Sequence, residues 1–436
     1  MPARRFTGNR VDNTFQDSAE STNSAGHGEG MDCLQGKKIL FGVTGSIAAF
    51  KAAGWVHSLV KEEALVSVIM TRAAASFVSE LTFAALSGNT VYRDMFAVDP
   101  KRAMAHITLA QETDLVLIAP ATAHTIARLA HGLADDLLST TVLAASGKPV
   151  VVCPAMNSRM YSHQATRDNL SRLRELGYII IEPDSGRLAC GDEGPGRLPE
   201  WDCAREALLG SMSRHDLDRH HILITAGPTR EALDPVRYIS NRSSGKMGYA
   251  LARTAKRRGA KVTLISGPVC LDPPHGVEVI RVTTAGEMYE EVMRLRNQAS
   301  VIVKAAAVAD FRPARYESHK IKKQTASCTV DLVPNDDILA ELGRTRKAGQ
   351  LLVGFAAESR DHEEEGKKKL LQKNIDLVAV NDIKADDRGF DVDANQVILI
   401  DRERSLSLPL MSKEKTADHI WDHVLSLLQE LPIRES

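Results

Sequence analysis

Short apolar runs recur along the chain. Most lead through a small polar turn into apolar positions three and four apart. The first run, Lys38–Val43, passes through Thr44-Gly45-Ser46 into helical spacing over residues 47–61, and Leu65–Met70 reads as the next strand. A strand, a helix and a strand so joined require a parallel crossover. Further strands are expected at 115–119, 150–153 and 178–181, with helical patterns between them to about residue 209. Segment 185–198, S-G-R-L-A-C-G-D-E-G-P-G-R-L, breaks the alternation and reads as a mobile loop rich in glycine. The charged stretch 211–219 then links to a second alternating series. Its strands are expected at 221–225, 261–266, 301–309, 351–357 and 396–401, a long polar loop enters a helix at about Gly245, and an amphipathic helix closes the chain. The fold class is α/β, with two doubly wound, Rossmann-like domains over residues 36–213 and 214–436.

Residues 104–161 concentrate the candidate chemistry of the first half. An isolated histidine, His106, comes first. One apolar run ends in the turn Pro120, Ala121, Thr122, Ala123, and a second ends in Pro154-Ala155-Met156-Asn157. Open α/β sheets bind ligands where strands end and helices begin. Small and amide side chains at two such ends suit a flat cofactor and a small acidic substrate. The Thr44-Gly45-Ser46 turn lacks the G-x-G-x-x-G spacing of a dinucleotide site. It offers a phosphate its unpaired N–H groups and helix dipole, or it is a plain tight turn with a serine cap. Cys190, in the polar glycine-rich segment, can reach a substrate and exchange a proton.

In the second half, Gly245-Lys246 does not make a P-loop, because Ser240 and Met247 occupy positions that need Gly and Ser or Thr. The helix start and Lys246 still form an anion-binding end. Asp310 follows a buried run and precedes K-I-K-K, Lys320 to Lys323, so a triphosphate with Mg²⁺ is a candidate ligand. Phe355 can stack on a base. Lys369 and Lys373 share a helical face, where their like charges either await an anion or face solvent.

Composition narrows the classes. The 436 residues are 43% hydrophobic and 25% charged, with a net charge of −1, which gives no global drive toward nucleic acid or anionic membrane. Six cysteines without a C-x-x-C pair speak against structural zinc and for a reducing, cytoplasmic setting. Residues 1–35 are expected to be a disordered extension, and Met31 is a second possible start. The polar 1–30 stretch lacks the apolar core of a secretory signal.

In order, G-S-I-A-A-F-K, A-H-I-T-L, A-P-A-T-A, P-A-M-N-S-R-M-Y and A-C-G-D-E-G-P-G-R-L resemble the flavin-dependent cysteine decarboxylases, over residues 37–209. The resemblance implies bound FMN, contacted by Gly45, Ser46, Thr71 and the Pro120–Ala123 turn. It implies His106 as active-site base, Asn157 as holder of the substrate carboxylate, and Cys190 as the acid protonating an enethiol intermediate. His124 departs from the usual Asn or Asp, and Tyr161 from a frequent Trp. From residue 219 onward, I-T-A-G-P-T-R-E-A-L-D-P-V-R-Y-I-S-N-R-S-S-G-K-M-G, A-A-A-V-A-D-F-R-P and K-I-K-K resemble the phosphopantothenate–cysteine ligases. Those motifs imply CTP and Mg²⁺, with Lys320 assisting acyl-cytidylate formation and Asn241 holding the phosphopantothenoyl part. They imply nucleotide contacts at Asp310, also the metal residue, and at Asp336, Asp337, Ile338, Leu339, Phe355, Lys369 and Lys373. Asn335-Asp336-Asp337 replaces the frequent Asn-Pro-Asp. The two likenesses in tandem match the bacterial bifunctional coenzyme A biosynthesis proteins. They imply a homo-oligomer, with trimeric flavin-domain and dimeric ligase-domain contacts building a dodecamer. A decarboxylase of peptide cysteines and a non-catalytic regulatory flavoprotein are the alternatives; the fused ligase and the presence of His106, Asn157 and Cys190 weigh against them.

Overall fold

The computed structural model describes residues 34–96, 104–321, 329–358, 362–382 and 394–430. The expected N-terminal extension falls almost wholly outside the described residues, as do Lys322, Lys323 and most of the polar 381–391 segment. No described helix is long and apolar enough to cross a membrane.

The first half is built on a five-stranded parallel sheet of β1 (Lys38–Val43), β2 (Leu65–Met70), β3 (Leu115–Ala121), β4 (Val150–Pro154) and β5 (Ile179–Ile180), in the order β2-β1-β3-β4-β5. Alternation along β1 divides the core. Ile39, Phe41 and Val43 join Trp55, Leu59 and Leu208 on one side, and Leu40 joins Leu109, Leu129 and Leu138 on the other. The first helix is Ala49–Lys61, two residues shorter than expected. Ser46 N–H donates to Thr44 O and Ala49 N–H to Ser46 O, so residues 46–48 form a tight turn before it.

Segment 185–198 is an antiparallel hairpin, β6 (Asp184–Arg187) with β7 (Glu193–Arg197), and not the loop expected from its glycines. Its glycines permit close packing. A Cβ on Gly196, whose φ is 145°, would lie 2.1 Å from Met156 O, and Met156 N–H donates to Gly196 O at 3.0 Å.

The second half holds an eight-stranded sheet: β8 (His221–Ala226), β9 (Lys261–Ser266), β10 (Glu278–Arg281), β11 (Val301–Lys304), β12 (Leu351–Glu358), β13 (Leu377–Asp382), β14 (Val397–Ile400) and β15 (Ser405–Ser407). The order is β10-β9-β8-β11-β12-β13-β14-β15, parallel through β13 and antiparallel at β14 and β15. The run 301–309, expected as one strand, leaves the sheet after Lys304. The end of β8 and the loop after it capture the chain: Ala306 N–H donates to Thr225 Oγ1, Ala307 N–H to Gly227 O and Ala309 N–H to Thr229 Oγ1.

The halves meet along the helices Trp201–Met212, Lys246–Arg257 and Lys413–Glu430. The Arg257 guanidinium, almost fully buried, donates to Glu206 at 2.7 and 2.8 Å and to Glu414 at 2.9 Å. Arg258 likewise pairs with Asp216 and Asp418.

Candidate functional site

Four segments of the first half converge at the carboxyl end of its sheet. Buried Thr44 donates from Oγ1 to Pro120 O at 2.6 Å and accepts from Thr122 N–H at 3.1 Å, which locks the first turn to the third. Ser46 Oγ donates to Ala155 O at 3.3 Å. Thr71, just past β2, accepts from Ala74 N–H, and Ala73 beside it packs on Gly45 so closely that a Cβ there would be 2.4 Å away. Gly45, Ser46, Thr71 and the 120–123 turn are therefore brought together. Pro120 and Ala121 are buried strand residues, so only their backbone can face a ligand. Thr122 caps the Ala123–His131 helix, and His124 is exposed on its first turn. Among the described residues, the N–H groups of Gly45 and Ile47 take no part in the turn's backbone hydrogen bonds.

Asn157 follows β4 and caps the short Ser158–Ser162 helix, with Oδ1 accepting from Arg159 N–H at 2.8 Å. That bond orients Nδ2 toward the hairpin, where it lies 3.1 Å from Cys190 Sγ and 3.1 Å from Asp192 Oδ2. Cys190 is exposed at the tip of this hairpin. His106, on the Ala105–Glu112 helix, is half-buried, and its Nδ1 is buried with no hydrogen-bond partner among the described residues. No described hydrogen bond ties it to Asn157 or Cys190. Tyr161 hydrogen-bonds to Glu182, which also pairs with Arg174; burial, then Glu182, raises the phenol's pKa.

The second half carries a cavity of about 460 Å³ at the end of its sheet, between the Lys246–Arg257 helix start and the 305–308 segment. Asn241, Asp310, Phe355 and Lys369 line it, as expected. Asn241 is held by a 3.0 Å bond from Nδ2 to Val308 O, and Lys369 Nζ donates to Phe355 O at 2.9 Å. Other expected residues lie elsewhere. Lys320 is exposed outside the cavity lining, on a segment anchored where Asp234 accepts from Ile321 N–H and Arg237 donates to Ile321 O. Lys373 pairs with Asp337 at 2.6 Å, and neither is part of the cavity lining. Burial would raise Asp337, but Lys373 and the Ala340 N–H hold it below the ordinary carboxylate range. Ile338 and Leu339 are core residues, and Asp336 is exposed outside the lining. No cluster of three metal-ligating side chains occurs among the described residues, which leaves Asp310 as the one carboxylate in the lining.

The cavity also contains residues that spacing did not single out. Lys304, at the end of β11, donates to Ala306 O at 3.1 Å; burial first, then Lys369, brings its amine down to about 8. Its signal was a lone lysine closing the apolar run V-I-V-K. Asn381, Asn395 and Lys413 complete the far end. Nothing in their local sequence marks them, because they meet the cavity only through the sheet order.

The chain matches the Flavoprotein family over residues 28–212 and the DNA/pantothenate metabolism flavoprotein C-terminal domain family over residues 217–428. It is 45% identical over 406 residues to the coenzyme A biosynthesis bifunctional protein CoaBC of Bacillus subtilis, covering 91% of this chain and 98% of that one. Against the CoaBC protein of Escherichia coli K12 it is 44% identical over 401 residues, again covering 91% and 98%. Among solved structures, a C-terminal domain of CoaBC is 38% identical, with TM-score 0.43, covering 50% of this chain and 99% of that one. The FMN-dependent cysteine decarboxylase SpaF is 31% identical, with TM-score 0.35, covering 41% and 97%.

Proposed function

The chain belongs to the bifunctional coenzyme A biosynthesis proteins, which combine phosphopantothenoylcysteine decarboxylase and phosphopantothenate–cysteine ligase activities, and from that premise we propose how its residues divide the two reactions. The division falls near Arg214, with decarboxylation on residues 36–213 and ligation on 214–436.

Ligation comes first. A carboxylate is a poor electrophile, and joining it to CMP from CTP creates a mixed anhydride while pyrophosphate leaves. The cysteine amine then attacks the acyl carbon, CMP departs, and the nitrogen releases a proton. Lysines around the cavity counter the charge that builds on the leaving phosphates. Asn241 positions the phosphopantothenoyl part, and Phe355 offers a face to the base. Mg²⁺ is read as carried chiefly by the triphosphate and water, with Asp310 as its protein ligand, since the lining holds a single carboxylate. Lys320 is read as assisting activation of the carboxylate, the role its motif implies.

The decarboxylase substrate is the resulting amide. Bound FMN would supply reversible hydride transfer at the carbon bearing sulfur, the oxidation that gives the departing carboxylate's electrons a C=S bond to enter. The backbone at Gly45, Ser46 and 120–123, with Thr71, is read as the seat of a phosphorylated flat cofactor, because these turns meet at the carboxyl end of the sheet, just ahead of two helices. Asn157 Nδ2 holds the carboxylate until CO₂ leaves. Cys190, in contact with that same amide, protonates the enethiol carbon as the hydride returns, and His106 serves as base. The observation that carries this reading is the Asn157–Cys190 contact, which joins the carboxylate holder to the acid. The assembly is read as a homo-oligomer of trimeric and dimeric contacts, a dodecamer, whose mass light scattering would report.

Two measurements test the reading. Purified protein is expected to release FMN on denaturation; protein that stays colourless after reconstitution with FMN contradicts the decarboxylase assignment. Pyrophosphate release is expected to need CTP, 4′-phosphopantothenate and Mg²⁺ together; equal or faster turnover with ATP contradicts the nucleotide assignment.

A further inference from the structure

We propose that Asp192 is a positioning residue of the decarboxylase site, whose carboxylate and that of the substrate occupy the Asn157 amide in turn; the inference rests on the reading of Asn157 and Cys190 above and adds to it. The amide is fixed by its other end. Asn157 Oδ1 accepts from Arg159 N–H at 2.8 Å, so Nδ2 faces the hairpin. An amide nitrogen carries two protons. Cys190 Sγ and Asp192 Oδ2 each lie 3.1 Å from Nδ2, and between them they engage both. A substrate carboxylate can therefore reach Nδ2 only by displacing one of them. Asp192 is the one that yields, because two carboxylates on one amide repel. Among the described residues no Lys, Arg or His pairs with Asp192, and the Asn157 amide is the one donor that its half-buried side chain meets.

Asp192 and Cys190 are carried by one closed turn. Leu188 N–H donates to Asp192 O at 2.8 Å and Gly191 N–H donates to Leu188 O at 2.9 Å, which ties the hairpin tip to itself. A push on Asp192 therefore moves Cys190 as well. When the substrate carboxylate takes Nδ2, the tip is driven off and the thiol goes with it. When that carboxylate leaves as neutral CO₂, the repulsion ends and the amide is vacant. Asp192 then returns to Nδ2 and brings the Cys190 thiol back to the site at the stage when its proton is needed. The charge of the hairpin thus places CO₂ loss before protonation.

The test is steady-state decarboxylation of 4′-phosphopantothenoylcysteine by FMN-loaded, full-length protein and by its Asp192→Asn and Asp192→Ala variants, with product mass and inhibition by 4′-phosphopantetheine read in the same series. Both substitutions remove the competing charge, so KM for the substrate is expected to fall about threefold or more in both. Inhibition by 4′-phosphopantetheine, which has no carboxylate to compete for the amide, is expected to stay within about twofold of the parent. Asn keeps an oxygen for the Nδ2 proton and Ala does not. Asp192→Ala is therefore expected to release part of its product about two mass units light, and Asp192→Asn to restore the normal mass. Retained FMN content and CTP-dependent ligation would show that the variants are folded. A KM that stays at the parent value or rises in both variants overturns the proposal, and so does an equal change for substrate and 4′-phosphopantetheine. Product of wholly normal mass from Asp192→Ala overturns it as well. A parent that releases no CO₂ overturns the decarboxylase reading, and the proposal with it.

Discussion

Lys304 closes a strand whose other members are apolar, and burial with Lys369 nearby brings its amine to about 8, against the upward pull of Asp337 and Asp310. Only the protonated amine attracts a phosphate. Nucleotide KM is therefore expected to be flat below about pH 8 and to rise above it, and Lys304→Met is expected to remove that rise. A pH profile of KM for CTP checks both; a parent profile that is flat through pH 9 would contradict them. In the first half, Cys190→Ser is expected to permit CO₂ loss but to stop the final reduction, leaving a product about two mass units light. Mass spectrometry of the product decides it, and normal product from the variant would remove the acid role from Cys190. Asn157 and Cys190 were legible in the sequence because their motifs carry them. Lys304 and Lys413 were not, since each is one lysine whose setting depends on strands far away in the chain.

The hairpin of β6 and β7 shows the same limit at the level of elements. Its glycines read as mobility, but Gly196 is there because backbone from 156 passes where a side chain would be. Gly196→Ala forces Met156 O and the hairpin apart, which is expected to separate Cys190 from Asn157. Decarboxylation should fall by about tenfold or more, with CTP-dependent ligation retained. Paired assays of the two half-reactions check this, and an equal loss of both would contradict it. The long parallel strands were legible from period and apolar run length. The departure of 305–309 from the sheet was not, because hydrogen bonds donated to Thr225, Gly227 and Thr229 decide it. The spacing of Lys369 and Lys373 placed both on one helix face, but the helix ends at Gln372, and Lys373 in the turn beyond pairs with Asp337 while Lys369 donates to the Phe355 carbonyl.

Across the whole molecule, Arg257 joins the halves: its buried guanidinium is shared between Glu206 on one side and Glu414 on the other. Removing one partner leaves a buried charge undercompensated, so Glu206→Ala is expected to destabilise the chain by about 3 kcal/mol. Denaturant titration of the parent and the variant measures this, and a change below about 0.5 kcal/mol would contradict it. The same arrangement places two reactions on one chain, the second consuming what the first makes. Product analysis of a single incubation therefore reads both at once. With 4′-phosphopantothenate, cysteine, CTP and Mg²⁺, the full-length protein is expected to yield 4′-phosphopantetheine, CMP, pyrophosphate and CO₂. Recovery of unchanged 4′-phosphopantothenate, or of the cysteine amide with its carboxylate intact and no CO₂ released by FMN-loaded protein, would contradict it.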